Sequence, residues 1–327
     1  MANEISIRKM QPTDAAGLTR CIRRCYGDSY PKRAMYDAAS LAEQVHAGSY
    51  NGVVATDGAD IVGHIGYSRA NAAATVVEAG TTVVDADYRG AGLMGRLATV
   101  LRHCIIADQA VGFVHFPTTA HPVMQKASLQ SGGCETGVML AYLPAKARDL
   151  LIGGNGDDRL AVTVVYQPLT EAPAQAIFLP DRYSDLVTSF ASHLKLRRTS
   201  VRGSAKPSGK TKIRIATDAY RKLERLTAAH IGKDFADVVV SASGNSAATT
   251  IHVDLMMNQP ELHKAVEDLR KAGFAFAAWL PGWNESDVLR LQLLKNLTIG
   301  ELHPALHSPE ANDIAALIRS ELDASAR

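Results

Sequence analysis

The stretch that most constrains this chain is Val76-Val77-Glu78-Ala79-Gly80-Thr81-Thr82-Val83-Val84, together with the glycine-rich segment just after it. Its β-branched residues predict a strand. Asp85-Ala86-Asp87-Tyr88-Arg89 then reads as a turn, and residues 93–101 carry apolar side chains at helical spacing. A strand, a glycine-rich turn and a helix start present a pocket of backbone N–H groups suited to a phosphate. Gly90 and Gly92 let the chain come close to that phosphate, and Arg89 and Arg96 add positive charge beside it. The helix end alone contributes only ~0.3–1 kcal/mol, so the arginines and several amides must share the load.

Two phosphate ligands compete for this turn. Gly90-Ala91-Gly92-Leu93-Met94-Gly95 matches the G-x-G-x-x-G of dinucleotide folds. That motif, however, follows a first strand and needs an acidic residue about 20 positions on, at the end of a second strand. Here the corresponding region, Ala107-Asp108-Gln109, closes the same helix, and the preceding strand is not the first. The dinucleotide reading is disfavoured.

Arg89-Gly90-Ala91-Gly92-Leu93-Met94 resembles the Q/R-x-x-G-x-G/A signature of the GNAT acetyltransferase superfamily, departing from it where Met94 replaces a small residue and Gly95 follows. The resemblance spans residues 5–144 through the order of elements. Strand 5–10, helices 15–26 and 36–47, and a hairpin of strands 50–56 and 61–69 turning at Asp57-Gly58 come first. The Glu78 strand and the helix from Leu93 follow, then strand 112–117, helix 122–131 and strand 135–143. The fold class this implies is α/β with a mixed GNAT-like sheet, residues 1–150 forming the catalytic domain and 157–327 a second α/β domain.

The co-substrate implied by the resemblance is acetyl-CoA; the histidines show no H-E-x-x-H or comparable spacing, so no metal is expected. Its pyrophosphate would lie on the turn formed by Arg89, Gly90, Ala91, Gly92, Leu93, Met94, Gly95 and Arg96. Its pantetheine arm would pair with Thr82, Val83 and Val84. Chemistry then asks for a base, because an alkylamine of pKa ~10 is mostly protonated at neutral pH. Glu78, eleven residues before Arg89, stands where several family members carry a glutamate base. Strict alternation would put it on one face with Gly80, Thr82 and Val84. The plainer alternative is a solvated or salt-bridged strand carboxylate.

Many relatives protonate the departing thiolate with a tyrosine in a pattern like N-P-x-x-x-x-x-Y-x-x-x-G-F. The matching stretch begins at His121-Pro122 and puts Ser128 in the tyrosine's place. A serine hydroxyl is the poorer acid, so Tyr142 and His121 enter as substitutes, His121 equally as a residue at a helix start. The acceptor pocket implied by the resemblance lies at the loop after the first helix. Tyr26, Asp28, Tyr30 and Tyr36 would line a slot for a cation with an apolar body, joined by Tyr67 on the third strand. Tyrosines capping a small core from its wet edge are the equal alternative.

The chain's 327 residues favour two domains. A hydrophobic share of 46% and a charged share of 21% are ordinary for a soluble globular protein, and a formal net charge of +2 argues neither for a dedicated nucleic-acid binder nor for an acidic tail. No signal-like start and no 18-residue apolar run appear, so a cytoplasmic protein away from membranes is expected. Cys21, Cys25, Cys104 and Cys134 are too scattered for a disulfide framework. Cys21 and Cys25 stand four apart on a helix, but without a nearby His/Cys cluster they read as packed thiols.

In the second half, the turn-rich stretch 151–158 reads as the domain boundary, followed by strands 160–166 and 175–179 and helix 181–194. Residues 195–214 hold eight Lys/Arg and no acid, a stretch that could touch RNA or a coenzyme phosphate and reads more plainly as a solvated loop between strands. Gly203-Ser204-Ala205-Lys206-Pro207-Ser208-Gly209-Lys210-Thr211 imitates a phosphate loop, but its glycine spacing is one too long and a strand comes next. An internal echo links His115-Phe116, Pro122, a helix, Gly132-Gly133 and Leu143-Pro144 to His252-Val253, Pro260, a helix, Gly273 and Leu280-Pro281. The Pro-to-Leu separations are 21 and 20 residues. A degenerate GNAT-like second half is the expectation, with Trp279, Trp283 and residues 287–291 as core or interface.

The expected function is an N-acetyltransferase acting by direct attack in a ternary complex on a small-molecule primary amine. A metabolite, an antibiotic or a biosynthetic intermediate would each fit. The alternatives are a protein lysine or N-terminal acetyltransferase and a non-catalytic CoA sensor or scaffold. No nucleic-acid or membrane partner is expected, and a homodimer is left open.

Overall fold

The computed structural model describes residues 5–147, 159–201, 205–297 and 305–325. The turn-rich stretch 151–158, and Gly203 and Ser204 of the phosphate-loop imitation, lie outside the described residues. The chain divides into two compact units, Met1–His115 and Phe116–Arg327.

The first unit runs β1 (Ser6–Lys9), α1 (Ala15–Tyr26), α2 (Ala38–His46), β2 (Asn51–Asp57), β3 (Asp60–Ser68), β4 (Val76–Val84), α3 (Leu93–Ala107) and β5 (Gly112–His115). Its strands lie in sequence order, β1 to β5. Every neighbouring pair is antiparallel except β4 and β5, which are parallel and joined by the crossover helix α3. Leu93, Leu97, Leu101 and Ile105 recur every fourth residue and form the buried stripe of α3. Leu93 and Leu97 sit over Gly63 of β3, where a Cβ would crowd both. On the other face, Leu18, Cys21 and Ile22 of α1 join Met35, Leu41, Tyr50, Val54, Ile61 and Val83 in one core cluster.

Two irregularities decide which side chains share a face. A bulge in the β2–β3 ladder precedes Gly63, and a second in the β3–β4 ladder lies between His64 and Gly66. At the second, Thr81 and Thr82 stand opposite the single residue Ile65, and Thr81 takes φ +55°, an outlying conformation for a β-branched residue. The extra residue breaks the expected alternation. Glu78 and Gly80 share their face with Val83 and its partner His64, and Val84 turns to the α3 side.

The second unit comprises α4 (Val123–Gln130), β6 (Cys134–Leu143), β7 (Leu160–Pro168), β8 (Gln175–Phe178), α5 (Ser184–His193), β9 (Arg198–Val201), β10 (Lys212–Asp218), β11 (Leu223–His230), α6 (Phe235–Asn245), β12 (Thr250–Met256), α7 (Leu262–Lys271), β13 (Ala275–Leu280), β14 (Val288–Leu294) and α8 (Pro309–Ser325). The order is β7-β6-β13-β14-β12-β11-β10, with β8 and β9 as a separate parallel pair. The division after His115 differs from the boundary expected at 150–157. The antiparallel pairing of β6 with β7 holds both sides of the turn-rich stretch in one unit.

The echo seen in the sequence has a topological counterpart. β11, α6 and β12 make a parallel crossover like β4, α3 and β5, and α7 then leads into the β13–β14 hairpin as α4 leads into β6 and β7. Trp279 and Trp283 are buried core residues, Trp279 stacked on Phe190. Among the described residues, no helix is long and apolar enough to cross a membrane.

Each unit buries a neutral histidine. Burial pushes His64 down to about 3 and holds His252 well below the usual imidazole range. An unfolded imidazole titrates near ~6.5. The unfolded chain therefore binds more protons between that value and the folded one. Stability is fully present above ~6.5 and is lost as pH falls towards the folded values, by up to about 1.4 kcal/mol per pH unit for each histidine. The urea unfolding midpoint should be clearly lower at pH 5 than at pH 7.5. An unchanged midpoint would contradict this burial.

Candidate active site

The site in the first unit is built on β4, the turn after it and the start of α3. The parallel ladder between β4 and β5 is only three pairs long, Val76↔Gly112, Val77↔Phe113 and Glu78↔Val114. Beyond Glu78, residues 79–84 of β4 have no ladder partner on that edge among the described residues. Thr82, Val83 and Val84 therefore lie on an open strand edge, and the Val84 carbonyl accepts a bond from Arg89 Nε at 3.0 Å. An open edge of this kind can accept an extended ligand as an added strand.

Downstream, the chain makes a short 3-10 turn at Ala86–Tyr88 and reaches α3 through Gly90 (φ +81°) and Gly92 (φ +71°). Both glycines take left-handed conformations, and a Cβ at either, or at Gly95, would meet open space. The first bond of α3 runs from Arg96 N–H to the Gly92 carbonyl at 3.2 Å. The N–H groups of Leu93, Met94 and Gly95 thus stand ahead of the intrahelical ladder. Arg89 and Arg96 are exposed beside them, and Arg96 donates to Ile5 O at 3.0 Å. Leu93 is buried as the first anchor of α3 and Met94 is half-buried, so the exposed close-approach position passes to Gly95. Exposed amides, an uncrowded surface and two cations fit a diphosphate.

On the α1 side of the sheet, Glu78 is partly exposed. Tyr26, Tyr30 and Tyr36 pack against the core cluster on this same side. The rings of Tyr26 and Tyr30 lie 5.0 Å apart, and the Tyr36 hydroxyl donates to Gly27 O at 2.7 Å and accepts from Tyr30 N–H at 2.8 Å. Asp28 points to solvent, 88% exposed and 3.9 Å from Arg23. Tyr67 lies apart from these. It is buried on the α3 side, where its hydroxyl donates to Asp108 at 2.5 Å and fastens the end of α3.

Sequence reasoning missed a row of glycines. Gly52, Gly66 and Gly80 stand in register across β2, β3 and β4. A Cβ at Gly52 would strike the His64 ring, and one at Gly66 the Tyr50 hydroxyl, whereas Gly80 beside Glu78 faces open space. Tyr50 lies against Gly66, and its hydroxyl is 2.7 Å from His64 Nε2. Lys32 reaches over it, its ammonium 4.8 Å from the Tyr50 ring centroid and 3.5 Å from Thr81 Oγ1. The even 14-residue spacing of these strand glycines was the available signal, since glycine in a strand marks a close approach.

The remaining candidates fall in the second unit. Ser128 is buried and donates to Met124 O at 2.6 Å within its own helix. Tyr142 stacks on His252 at 6.0 Å, with the Arg221 guanidinium 5.2 Å from its ring. His121 is half-buried just before α4. Back in the first unit, Cys21 and Cys25 gain a neighbour the sequence did not reveal. Asp85 brings a carboxylate oxygen within 4.8 Å of both sulfurs. Arg24 holds that carboxylate at 3.0 Å, and burial pushes the Cys21 thiol up to about 12.

Residues 16–116 match the model of the acetyltransferase (GNAT) family. No curated protein sequence matches the chain. Among solved structures it is similar to yncA of Salmonella typhimurium, solved with its cofactor acetyl-CoA, at 15% identity over 53% of this chain and 98% of that one, TM-score 0.42. It is likewise similar to the ribosomal-protein-S5-alanine acetyltransferase of Vibrio fischeri, at 16% identity over 52% and 96% of the two chains, TM-score 0.42. An aminoglycoside 6'-acetyltransferase type Ii is similar at 18% identity over 51% and 99%, TM-score 0.38. The matched segment is a GNAT acetyltransferase domain, and the enzyme class is that of acyltransferases.

Replacing Gly92 by valine places a β-branched residue at φ +71° and a side chain over the amides. Strain of ~1–3 kcal/mol should lower stability modestly, and calorimetry should show acetyl-CoA affinity falling at least tenfold. Unchanged affinity would place the diphosphate elsewhere.

Proposed function

We propose that the first unit transfers the acetyl group of acetyl-CoA to a primary amine of a small molecule, with Glu78 as the base. The observation that carries this reading is the end of the β4–β5 ladder at Glu78. It puts a carboxylate, an open strand edge and an amide-lined turn in succession on one strand, turn and helix.

Acetyl-CoA, when bound, supplies an acyl group activated as a thioester. Residues 82–84 offer backbone groups to its pantetheine arm, and residues 89–96 offer amides and arginines to its diphosphate. Glu78 takes the proton of the attacking amine, directly or through one water, as nitrogen bonds to the acyl carbon and the carbon–sulfur bond breaks. Ser128 spends its hydroxyl on Met124 O, and the Tyr142 ring is packed by His252 and Arg221. We therefore assign the thiolate's proton to water.

The second unit is a degenerate repeat of the first in this reading. Its β11–β12 ladder runs six pairs without a gap, from Leu223↔Thr250 to Ala228↔Leu255. The turn before α6 is filled by its own chain. Lys233 N–H donates to Gly209 O at 3.1 Å, Thr211 N–H donates to Asp234 at 2.7 Å, and a Cβ at Gly232 would strike the backbone of residues 210–211. Coenzyme A has neither an edge nor a turn to enter there. A CoA sensor is the second reading, favoured by the commitment of Ser128 to its own helix.

Replacing Glu78 by glutamine should lower kcat by ~10²–10⁴-fold while acetyl-CoA affinity stays constant, read from CoA release across an amine panel. Equal rates would remove Glu78 as base. Tight CoA binding with no turnover on any amine would favour the sensor.

A further inference from the structure

Cys21 and Cys25 read as packed thiols in the sequence because no ligand lies near them there, and the fold brings one from the exit of β4. Four residues apart on α1, the two side chains share a helix face. Asp85, the first residue after β4, sets a carboxylate oxygen beside them, and the two sulfurs and that oxygen all lie within 4.8 Å of one another. Tetrahedral zinc, with bonds of about 2.0–2.3 Å, asks for ligand separations of ~3.5–3.8 Å, so a side-chain movement of about 1 Å closes the triangle. Cys21 is fully buried, whereas Cys25 and Asp85 are only partly so. An ion held by the three therefore keeps its fourth position towards solvent, where a water can stand.

Charge and donor type select the ion. Arg24 Nε donates to Asp85 Oδ2 at 3.0 Å, and its Nη2 donates to Ile61 O at 2.7 Å. That ion pair is neutral, and the carboxylate has a second oxygen to offer. Two thiolates and one carboxylate carry three negative charges, which Arg24 and a dication balance. A singly charged ion leaves one negative charge in a partly buried site without compensation. Thiolate donors suit zinc, while calcium and magnesium take oxygen ligands. Among the described residues, no other group of three or more His, Cys, Asp or Glu side chains converges in this way.

We propose that Cys21, Cys25 and Asp85 form a zinc-binding site in the first unit. Two metal–sulfur bonds and one metal–oxygen bond form, two S–H bonds break, and both protons pass to solvent. The site does not depend on the assignment of Glu78. Its consequence is mechanical. Asp85 N–H donates to Val62 O at 2.9 Å, and its carbonyl accepts from Tyr88 N–H at 3.0 Å, so this residue is the corner where β4 becomes the glycine turn. Zinc ties α1 to that corner.

The test uses the full-length protein, stripped by a chelator, kept reduced with a phosphine, and titrated with cobalt(II) as a spectroscopic probe and then with zinc(II). Cobalt should give a near-ultraviolet thiolate charge-transfer band and intense visible bands of a tetrahedral site, saturating at a single ion per chain and bleached by zinc. Zinc should also raise the thermal unfolding midpoint, because the unfolded chain does not hold the three ligands together. Cys25→Ala should abolish the thiolate band, Asp85→Asn should weaken cobalt binding about tenfold or more, and Cys104→Ala should alter neither. Unfolding curves without metal show that each variant is folded. The absence of a thiolate band in the reduced, folded protein overturns the proposal. So does a band that survives Cys25→Ala, is lost with Cys104→Ala, or is indifferent to Asp85→Asn.

Discussion

An unfinished parallel ladder governs the first unit. Backbone N–H and C=O groups at a sheet's centre must find partners, and among the described residues β4 pairs with β3 from Glu78 to Val84, interrupted at the bulge, but with β5 only from Val76 to Glu78. The remaining edge, 79–84, is polar backbone in search of a strand-like ligand. It opens at Glu78 and ends at the glycine turn. The site is thus a consequence of where two neighbouring strands stop pairing, and the side chains only refine it.

The bulge at Thr81 and the glycine row adapt the sheet to that opening. An extra residue in β4 rotates the strand by one face, so that Val83 closes the core under α1 while Val84 turns towards α3. The strain of a β-branched residue at φ +55° is tolerated because both flanks are held, by His64 and Gly66 on one side and by the core contact of Val83 on the other. Glycine at 52 makes room for the His64 ring and glycine at 66 for the Tyr50 hydroxyl, while a Cβ at Gly80, beside Glu78, would meet open space.

Much of this was legible in the sequence because it is local. The β-branched run, the two glycines before a stripe of Leu93, Leu97 and Leu101, and the Asp57-Gly58 hairpin each encode their own geometry within a few residues. The features that escaped were set by register and packing. The face of Thr82 depends on a bulge that no periodicity announces. Tyr67 reads as a site residue until Asp108, 41 positions away, proves to hold its hydroxyl on the opposite side of the sheet. Asp85 joins Cys21 and Cys25 only once β4 passes α1. The cations over Tyr36 and Tyr50 likewise belong to the folded loop, which lays Arg23, Arg33 and Lys32 against those rings.

The parallel β11–β12 crossover of the second unit pairs without a break from Leu223 to Ala228, and the turn before α6 is filled by residues 209–211. The contrast supplies an internal control for the most direct measurement, amide hydrogen exchange with and without acetyl-CoA. Exchange should slow at residues 82–84 and 90–95 when acetyl-CoA is added, with 231–235 unaffected. Unaltered exchange along 82–95, or protection confined to the second unit, would contradict an open edge and turn as the coenzyme's seat.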